Sequence, residues 1–212
     1  INSLDQIDKW IEEAEEVGEV AVDTETTSLD PHQADLVGIS LCSKIGKACY
    51  IPVGHKSPKC LKKDAVIKKL KKILEDPSIK KIGQNIKFDF IVFYKCGITL
   101  SSMEDTMLMS YVLDAGKNRH NMDTLSEIHL GHKTISFKDM VGTGKKEINF
   151  SEVELDKAKD YAAEDADVTF RLYKKFIKNL KSEKMINIYE IFEKPLIKIL
   201  AFMEIEGVEI DS

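Results

Sequence analysis

The spacing of apolar residues changes several times along the chain, and each change predicts a helix or a strand. Apolar side chains recur every three or four positions over residues 4–17, with acidic residues between them, which predicts an amphipathic helix. After Gly18 a short run rich in β-branched residues begins at Glu19 and continues through Asp23 and Glu25, which is typical of a strand. Alternate residues of a strand share a face, so Asp23 and Glu25 are expected to point the same way.

The middle of the chain alternates between predicted strands and helices. Two β-rich runs, residues 36–42 and 48–53, are separated by a glycine-containing connection of hairpin length, so three consecutive strands are expected to form an antiparallel meander. The next segments are predicted in the order helix, strand, helix: residues 59–75, 79–82 and 86–97.

The second half of the chain is predicted to be mostly helical from Asp105 onward, with a loop over residues 131–149. Ser151 and Glu154 have the spacing of a capping box and are expected to begin a long helix over residues 155–180. The predicted fold class is therefore α/β, with a mixed central sheet of a three-strand antiparallel meander plus parallel strands, flanked by helices.

Composition limits the class of protein further. The 212-residue chain is 43% hydrophobic, which suits one main domain with a sizeable core. No apolar run approaches the roughly 20 residues that cross a bilayer, and the N-terminal residues lack the basic and apolar regions of a signal peptide. We therefore expect no contact with a membrane and a cytoplasmic location.

Charge is unevenly distributed along the chain. The formal net charge of −5 argues against a protein that coats duplex DNA mainly through lysine and arginine. Residues 1–25 carry nine acids and one base, whereas residues 56–81 carry ten lysines and three acids. We interpret this lysine cluster as a solvated helix face, with partial attraction of a polyanion as the alternative.

The four cysteines carry no chemistry that we can identify. They show no zinc-ligand spacing, and we expect them to be reduced. Cys42 and Cys49 could face each other across the predicted hairpin, but a disulfide is not expected in a protein of this class.

The long helix places one acid where an apolar residue is expected. Its apolar stripe includes Tyr161, Val168 and Leu172, and Asp165 lies on the same face. Burying an ionised carboxylate costs on the order of several kcal/mol unless a cation or partner compensates it. A buried ion pair with lysine or arginine is the alternative for a single acid of this kind.

Three further acids are misplaced in the same way, which favours a metal site over separate ion pairs. Asp89 lies in an apolar helical segment, and Asp23 and Glu25 extend from an apolar strand, while the chain contains only two arginines. All-oxygen ligands suit Mg²⁺ or Mn²⁺. Two such ions about 3.5–4 Å apart can hold both the attacking and the leaving oxygen of a displacement at phosphorus, so phosphodiester hydrolysis is the natural reaction.

Three segments around these acids resemble the ordered motifs of a known family. VDTETTSLD at residues 22–30, GQNIKFD at 83–89 and YAAEDADVT at 161–169 resemble those of the proofreading exonuclease domain of bacterial family A DNA polymerases, the DNA polymerase I type. RHNMDTL at residues 119–125 and HKTISF at 132–137 resemble further family segments, and the resemblance covers nearly the whole chain. It implies an RNase H-like fold and a DEDD exonuclease of the tyrosine subtype.

The resemblance also implies catalytic roles. Asp23, Glu25 and Asp165 would hold one divalent ion, Mg²⁺ or Mn²⁺, and Asp23 would bridge to a second ion that Asp89 helps to bind. Tyr161 would orient the attacking water together with Glu25. The alternative for Tyr161 is an ordinary core aromatic whose hydroxyl finds a partner.

The resemblance implies DNA contacts as well. Leu29 and Phe137 match positions that pack against terminal bases, and Gln84, Asn85 and Arg119 match positions near the DNA strand. Loop packing, a helix N-cap for Asn85 and a surface charge for Arg119 are the alternatives. A single-stranded or frayed 3′ end is the expected substrate, because its bases can stack on apolar side chains.

The predicted function is removal of nucleoside 5′-monophosphates from DNA 3′ ends. One alternative is an RNase D-like 3′-to-5′ exoribonuclease, because a preference for or against a 2′-hydroxyl cannot be read from the residues. The others are a catalytically silent domain that supports a polymerase and an unrelated α/β domain whose acids form ordinary ion pairs.

The same resemblance predicts the organisation and location of the protein. Residues 1–190 are expected to form the exonuclease domain, and residues 191–212 a helix and tail leading into a polymerase domain of the same parent chain. No obligate protein partner is indicated. A bacterial cytoplasmic protein associated with the nucleoid is expected.

Overall fold

A five-stranded mixed sheet forms the centre of the computed structural model, which describes residues 1–209. The strands stand in the order β3-β2-β1-β4-β5. The β1-β2 and β2-β3 pairs are antiparallel, and the β1-β4 and β4-β5 pairs are parallel. The strand bounds are β1 Glu19–Thr26, β2 Leu36–Lys44, β3 Lys47–Pro52, β4 Lys80–Gly83 and β5 Met103–Asp105.

Helices cover both faces of the sheet. Their bounds are α1 Asp5–Val17, α2 Lys63–Glu75, α3 Ile86–Lys95, α4 Thr106–Asp114, α5 Met122–Leu130, α6 Phe137–Val141, α7 Leu155–Ser182, α8 Ile186–Ile188 and α9 Lys194–Glu206. Short 3₁₀ turns occupy Gly144–Lys146 and Phe150–Glu152, and a π-helical turn, Tyr189–Glu193, joins α8 to α9. Within residues 1–209, no helix is long and apolar enough to cross a membrane.

The alternation of β1 divides the core into two layers. Val20 and Val22 pack on one side with the apolar stripes of α1, α2 and α3. Ala21 packs on the other side with residues of α4, α5 and α7. Because side chains alternate along a strand, Asp23 and Glu25 continue the Ala21 face and are directed toward α7.

The predicted meander, the parallel additions to it and the principal helices are confirmed. The helix expected over residues 59–75 begins later, at Lys63. The backbone before it turns instead, since Lys56 N donates to Ser151 O and Leu61 N donates to Pro52 O. The structure adds β5 and α6, which the sequence analysis did not predict, because segments of three and five residues are too short to show a period.

The capping box predicted at Ser151 and Glu154 is wrong. Glu154 itself is the N-cap residue of α7 and makes no side-chain cap bond. Ser151 lies in the preceding 3₁₀ turn, where its backbone N–H donates to the Asn149 side chain at 3.0 Å. The chain turns once more before α7 starts, which removes the spacing that a capping box needs.

The cysteines are free, as expected. In the β2-β3 pairing Leu41 lies opposite Cys49 and Cys42 lies opposite Ala48. Cys42 and Cys49 therefore occupy adjacent register positions and pack in different core layers.

The uneven charge of the sequence is partly neutralised where α1 packs beside α2. Lys69 and Asp8 form an ion pair at 2.6 Å, and Lys72 and Glu15 form another at 2.6 Å. These pairs are largely exposed, in keeping with the interpretation of the lysine cluster as a solvated helix face.

Candidate active site

Three carboxylates converge where β1 faces α7. Asp23, Glu25 and Asp165 each contribute one carboxylate oxygen to a group of three that lie within 4.8 Å of one another. We call these three residues the acidic cluster. Glu25 is 6% exposed and Asp165 is 5% exposed. Strand alternation supplies the first two acids and the apolar stripe of α7 supplies the third, as the sequence predicts.

The acidic cluster lacks the partners that buried carboxylates normally have. Glu25 Oε1 and Asp165 Oδ1 are buried and have no hydrogen-bond donor among the described residues. Among the lysine and arginine side chains that the structure describes, which lie in residues 1–144 and 146–209, none forms an ion pair with the cluster. A bound cation would compensate these buried oxygens, and an all-oxygen donor set of this charge fits a hard divalent ion.

Burial and mutual repulsion change the pKa values in the cluster. Burial raises the pKa of Glu25 well above its ordinary value, and the charges of Asp23, Asp165 and Asp89 raise it further. Burial raises the pKa of Asp23 to about 6, although solvent reaches this side chain through the cleft beside it. Without a cation, the cluster therefore retains protons that isolated carboxylates would release.

Asp89 approaches the cluster from α3 on the other side of β1. Thr24 holds it: the Thr24 backbone N–H donates to Asp89 Oδ1 at 2.9 Å, and the Thr24 hydroxyl donates to the same oxygen at 2.6 Å. Burial raises the pKa of Asp89, and the charge of Asp23 raises it further. Asp89 is not one of the three acids whose oxygens meet within 4.8 Å.

Tyr161 lies one helical turn before Asp165 on α7, half-buried. Burial raises its pKa, and the charges of Asp165, Glu25 and Asp23 raise it further, so its hydroxyl stays protonated. Its ring meets Phe150 at a centroid distance of 5.9 Å and Phe137 at 6.1 Å. Phe150, which the sequence analysis did not single out, stacks on Phe137 at 6.0 Å.

A cleft of about 480 Å³ opens beside the cluster. Its lining includes Asp23, Glu25, Asp165 and Tyr161, together with the predicted base-contact residues Leu29 and Phe137. Leu29 is 89% exposed and Phe137 is 40% exposed, which leaves both apolar side chains open to a ligand. Phe88, Ile148 and Asn149 also line the cleft and were not predicted. Phe88 lies within the motif at residues 83–89 but was not assigned a role, and Ile148 and Asn149 lie in the predicted loop, which has no distinctive motif.

The loop that leads to Phe137 is tied to α7. Glu164, the residue before Asp165, uses both side-chain oxygens: Oε1 bonds His132 Nε2 at 2.8 Å, and Oε2 accepts from Ile135 N at 2.6 Å. The helix that carries Asp165 and Tyr161 thereby also fixes the approach to the apolar wall of the cleft.

The three other predicted DNA contacts lie outside the cleft lining. Gln84 is held internally, its amide donating to His120 O at 2.7 Å. Asn85 is the N-cap residue of α3 in the left-handed region, with φ +60°, and its side chain makes no cap bond. Arg119 is exposed. The structure does not bring these residues into the cleft, and their contact with DNA stays a prediction.

The sequence matches a known protein family. The family model for the 3′-5′ exonuclease matches residues 1–181. The chain belongs to this family. Exonucleases of the family use divalent metal ions, and the acidic cluster is present in this member.

The curated relatives of this exonuclease are DNA polymerases. It is 43% identical to DNA polymerase I of Rhizobium leguminosarum, over 100% of this chain and 23% of that protein. It is 42% identical to DNA polymerase I of Pseudomonas aeruginosa, over 99% of this chain and 24% of that protein. The chain thus spans about a quarter of the length of these relatives, and the resemblance to the DNA polymerase I type is confirmed.

Solved structures confirm the RNase H-like fold. Brucella melitensis NrnC with bound Mg²⁺ superposes with a TM-score of 0.69 at 23% identity, covering 92% of this chain and 90% of that one. Escherichia coli RNase D, an exoribonuclease, superposes with a TM-score of 0.70 at 19% identity, covering 92% of this chain and 48% of that one. At these identities the likeness establishes the fold alone.

Proposed function

We propose that this exonuclease hydrolyses the terminal phosphodiester of single-stranded or frayed DNA with two divalent ions and releases nucleoside 5′-monophosphates. The observation that carries the proposal is the acidic cluster, whose two partnerless buried oxygens face a cleft with exposed apolar side chains. Such a cluster is costly to bury unless cations complete it.

Four carboxylates would share the two ions in this proposal. Asp23, Glu25 and Asp165 would hold the first ion, and Asp23 together with Asp89 would hold the second. When bound, Mg²⁺ or Mn²⁺ supplies Lewis acidity that activates a water and stabilises the departing 3′ oxygen. The oxygen ligands support a hard divalent cation such as Mg²⁺ or Mn²⁺ at both positions.

The chain's own residues orient the reactants. The neutral Tyr161 hydroxyl and the Glu25 carboxylate position the attacking water, which places this exonuclease in the tyrosine subtype. Thr24 keeps Asp89 in one orientation through two hydrogen bonds to the same oxygen. Leu29 and Phe137 offer exposed apolar surfaces to the terminal bases, where stacking contributes about 1–3 kcal/mol per base.

DNA is favoured over RNA as the substrate. The two DNA polymerase I relatives named above are more than 40% identical, whereas RNase D, whose name describes an exoribonuclease, is 19% identical. We further propose that the exonuclease proofreads for a polymerase domain of the same protein, since the relatives are about four times longer than this chain.

The domain division is part of this proposal. The family model ends at residue 181, near the predicted domain limit of 190. Apolar residues of α9, including Ile199 and Met203, are exposed. Such a surface suits a helix that packs against another domain. Residues 210–212 of the predicted tail lie outside the described residues.

The test is shortening of 5′-labelled single-stranded DNA by the purified protein with Mg²⁺ or Mn²⁺. Asp23→Ala and Asp165→Ala should each abolish shortening, whereas Asp160→Ala, which removes an exposed acid from the same helix, should not. Failure of the unmodified protein to shorten DNA would refute the proposal. Faster cleavage of a matched RNA oligomer would favour the exoribonuclease, and no divalent-ion binding by calorimetry would favour a silent domain.

A further inference from the structure

A buried acid outside the cleft joins the first turns of two helices. Asp105, at the end of β5, is 1% exposed. Its Oδ1 accepts from Met107 N at 2.8 Å and from Leu108 N at 3.2 Å, which caps α4. The same carboxylate accepts from Asn85 N at 3.2 Å and from Ile86 N at 2.9 Å, across 20 and 19 residues of sequence, which caps α3.

The start of α3 depends on this distant cap because its own residues do not supply one. The first four N–H groups of a helix have no partner within the helix. Asn85 occupies the N-cap position but makes no side-chain cap bond, and its φ of +60° lies in the left-handed region, which does not continue a right-handed helix. Asp105 accepts hydrogen bonds from the backbone N–H groups of Asn85 and of its neighbour Ile86.

The placement of Asp89 follows from the start of α3. Asp89 lies about one helical turn after Ile86, and Thr24 holds one of its oxygens from β1. Thr24 fixes where the carboxylate is bound, whereas Asp105 fixes the helix that presents it. Loss of the cap would let the first turn of α3 fray, and Asp89 would then move relative to Asp23.

Contacts from the C-terminal segment hold Asp105 and the preceding residue, Glu104, in place. The Tyr189 hydroxyl accepts from Asp105 N at 2.9 Å and donates to Glu104 Oε2 at 2.9 Å. Lys194 Nζ donates to Glu104 Oε1 at 2.6 Å. The end of β5 is therefore fixed by the buried Tyr189 of the π-helical turn and by the partly buried Lys194, the first residue of α9.

We propose that Asp105 is a positioning residue of the exonuclease, which holds the start of α3 so that Asp89 takes its place beside the acidic cluster. This inference rests on the proposed function. It assigns to Asp105 no contact with substrate or metal.

The test compares Asp105→Asn with the unmodified protein, because the amide keeps the size of the side chain but directs an NH₂ group toward N–H donors. We expect the divalent-ion concentration for half-maximal rate to rise roughly 10–100-fold, with partial recovery of the rate at high Mn²⁺. Calorimetric Mn²⁺ titration should show one binding step weakened and the other retained.

Two variants separate positioning from simple loss of stability. Leu180→Ala removes a buried side chain near the C-terminal end of α7 and should lower stability while leaving the metal dependence unchanged. Tyr189→Phe removes the bond to Asp105 N and should change the metal dependence in the same direction as Asp105→Asn, by a smaller factor; it also provides the test if Asp105→Asn does not fold.

The inference is overturned if folded Asp105→Asn and Tyr189→Phe both keep the metal affinity of the unmodified protein, or if their metal dependence matches that of Leu180→Ala. An unmodified protein that binds two Mn²⁺ ions but does not shorten DNA would contradict the proposed function. In that case weakened binding in Asp105→Asn would still support the positioning role.

Discussion

Glu25 and Asp165 are buried carboxylates that oppose folding when no cation compensates them. Each buries an oxygen that has no donor among the described residues, beside other carboxylates that repel it. A folded chain tolerates such groups only when the rest of its core stabilises it sufficiently. The cluster should therefore destabilise the metal-free protein, and removing one of its charges should relieve that strain.

Asp165→Asn is expected to abolish DNA shortening and yet to stabilise the metal-free protein, by about 1–3 kcal/mol. The amide keeps the shape of the side chain while removing a buried charge. Urea unfolding in the presence of a chelator measures the change. Asp160→Asn, at an exposed position of the same helix, should leave the unfolding midpoint unchanged, and a destabilised Asp165→Asn protein would contradict the argument.

At the scale of secondary-structure elements, α7 organises the site more than any other helix. It carries Tyr161 and Asp165 on its buried stripe and holds the loop before α6 through Glu164. The loop over residues 132–136 has no regular structure of its own. The position of Phe137 therefore depends on contacts made by its neighbours.

Glu164→Ala should raise the KM for single-stranded DNA a few-fold with a smaller effect on kcat, because each lost hydrogen bond contributes about 0.5–1.5 kcal/mol to the order of the loop. Steady-state kinetics measure the two constants separately. Glu164→Gln, which retains an acceptor for Ile135 N, should lie between the alanine variant and the unmodified protein. Equal KM values for all three would exclude this role for Glu164.

For the whole molecule, the carboxylates link stability to pH and to metal. Burial raises the pKa of Asp23 from 3.8 to about 6, and it raises that of Asp105 to about 6. A carboxyl group whose pKa is raised on folding binds its proton more tightly in the folded state. The contribution of these groups to the free energy of unfolding is therefore greatest at low pH, and it falls as the pH rises from about 4 through about 6.

The metal-free protein should accordingly lose stability between pH 4.5 and 7, measured as a falling thermal midpoint in a chelating buffer. The effect should be smaller in Asp23→Asn, which lacks one of the titrating groups. A thermal midpoint that rises equally with pH in both proteins would show that these carboxylates do not govern the dependence.

Saturating Mg²⁺ or Mn²⁺ should reverse this loss, because the ions bind the ionised carboxylates. At a concentration about 100-fold above the dissociation constant, a bound ion contributes about 2.7 kcal/mol to the free energy of unfolding. Thermal melts with and without the ion at pH 7.5 measure the gain. Asp165→Asn should gain less than the unmodified protein, and an equal gain would place the ion elsewhere.

Local patterns in the sequence determined much of this protein. Period-two spacing placed Asp23 and Glu25 on one face, and helical spacing directed Asp165 inward, because these periods follow from backbone geometry alone. The ordered motifs around the acids indicated the family. Elements without a long period, such as β5 and α6, could not be predicted in this way.

The tertiary structure decided how the predicted faces meet. A local pattern tells which side of an element is buried, but not which partner it contacts, because that depends on residues far apart in the chain. The two bonds from Thr24 to Asp89 span 65 positions. The Asp105 cap of α3 joins a three-residue strand to a distant helix, so no period of the sequence could show it.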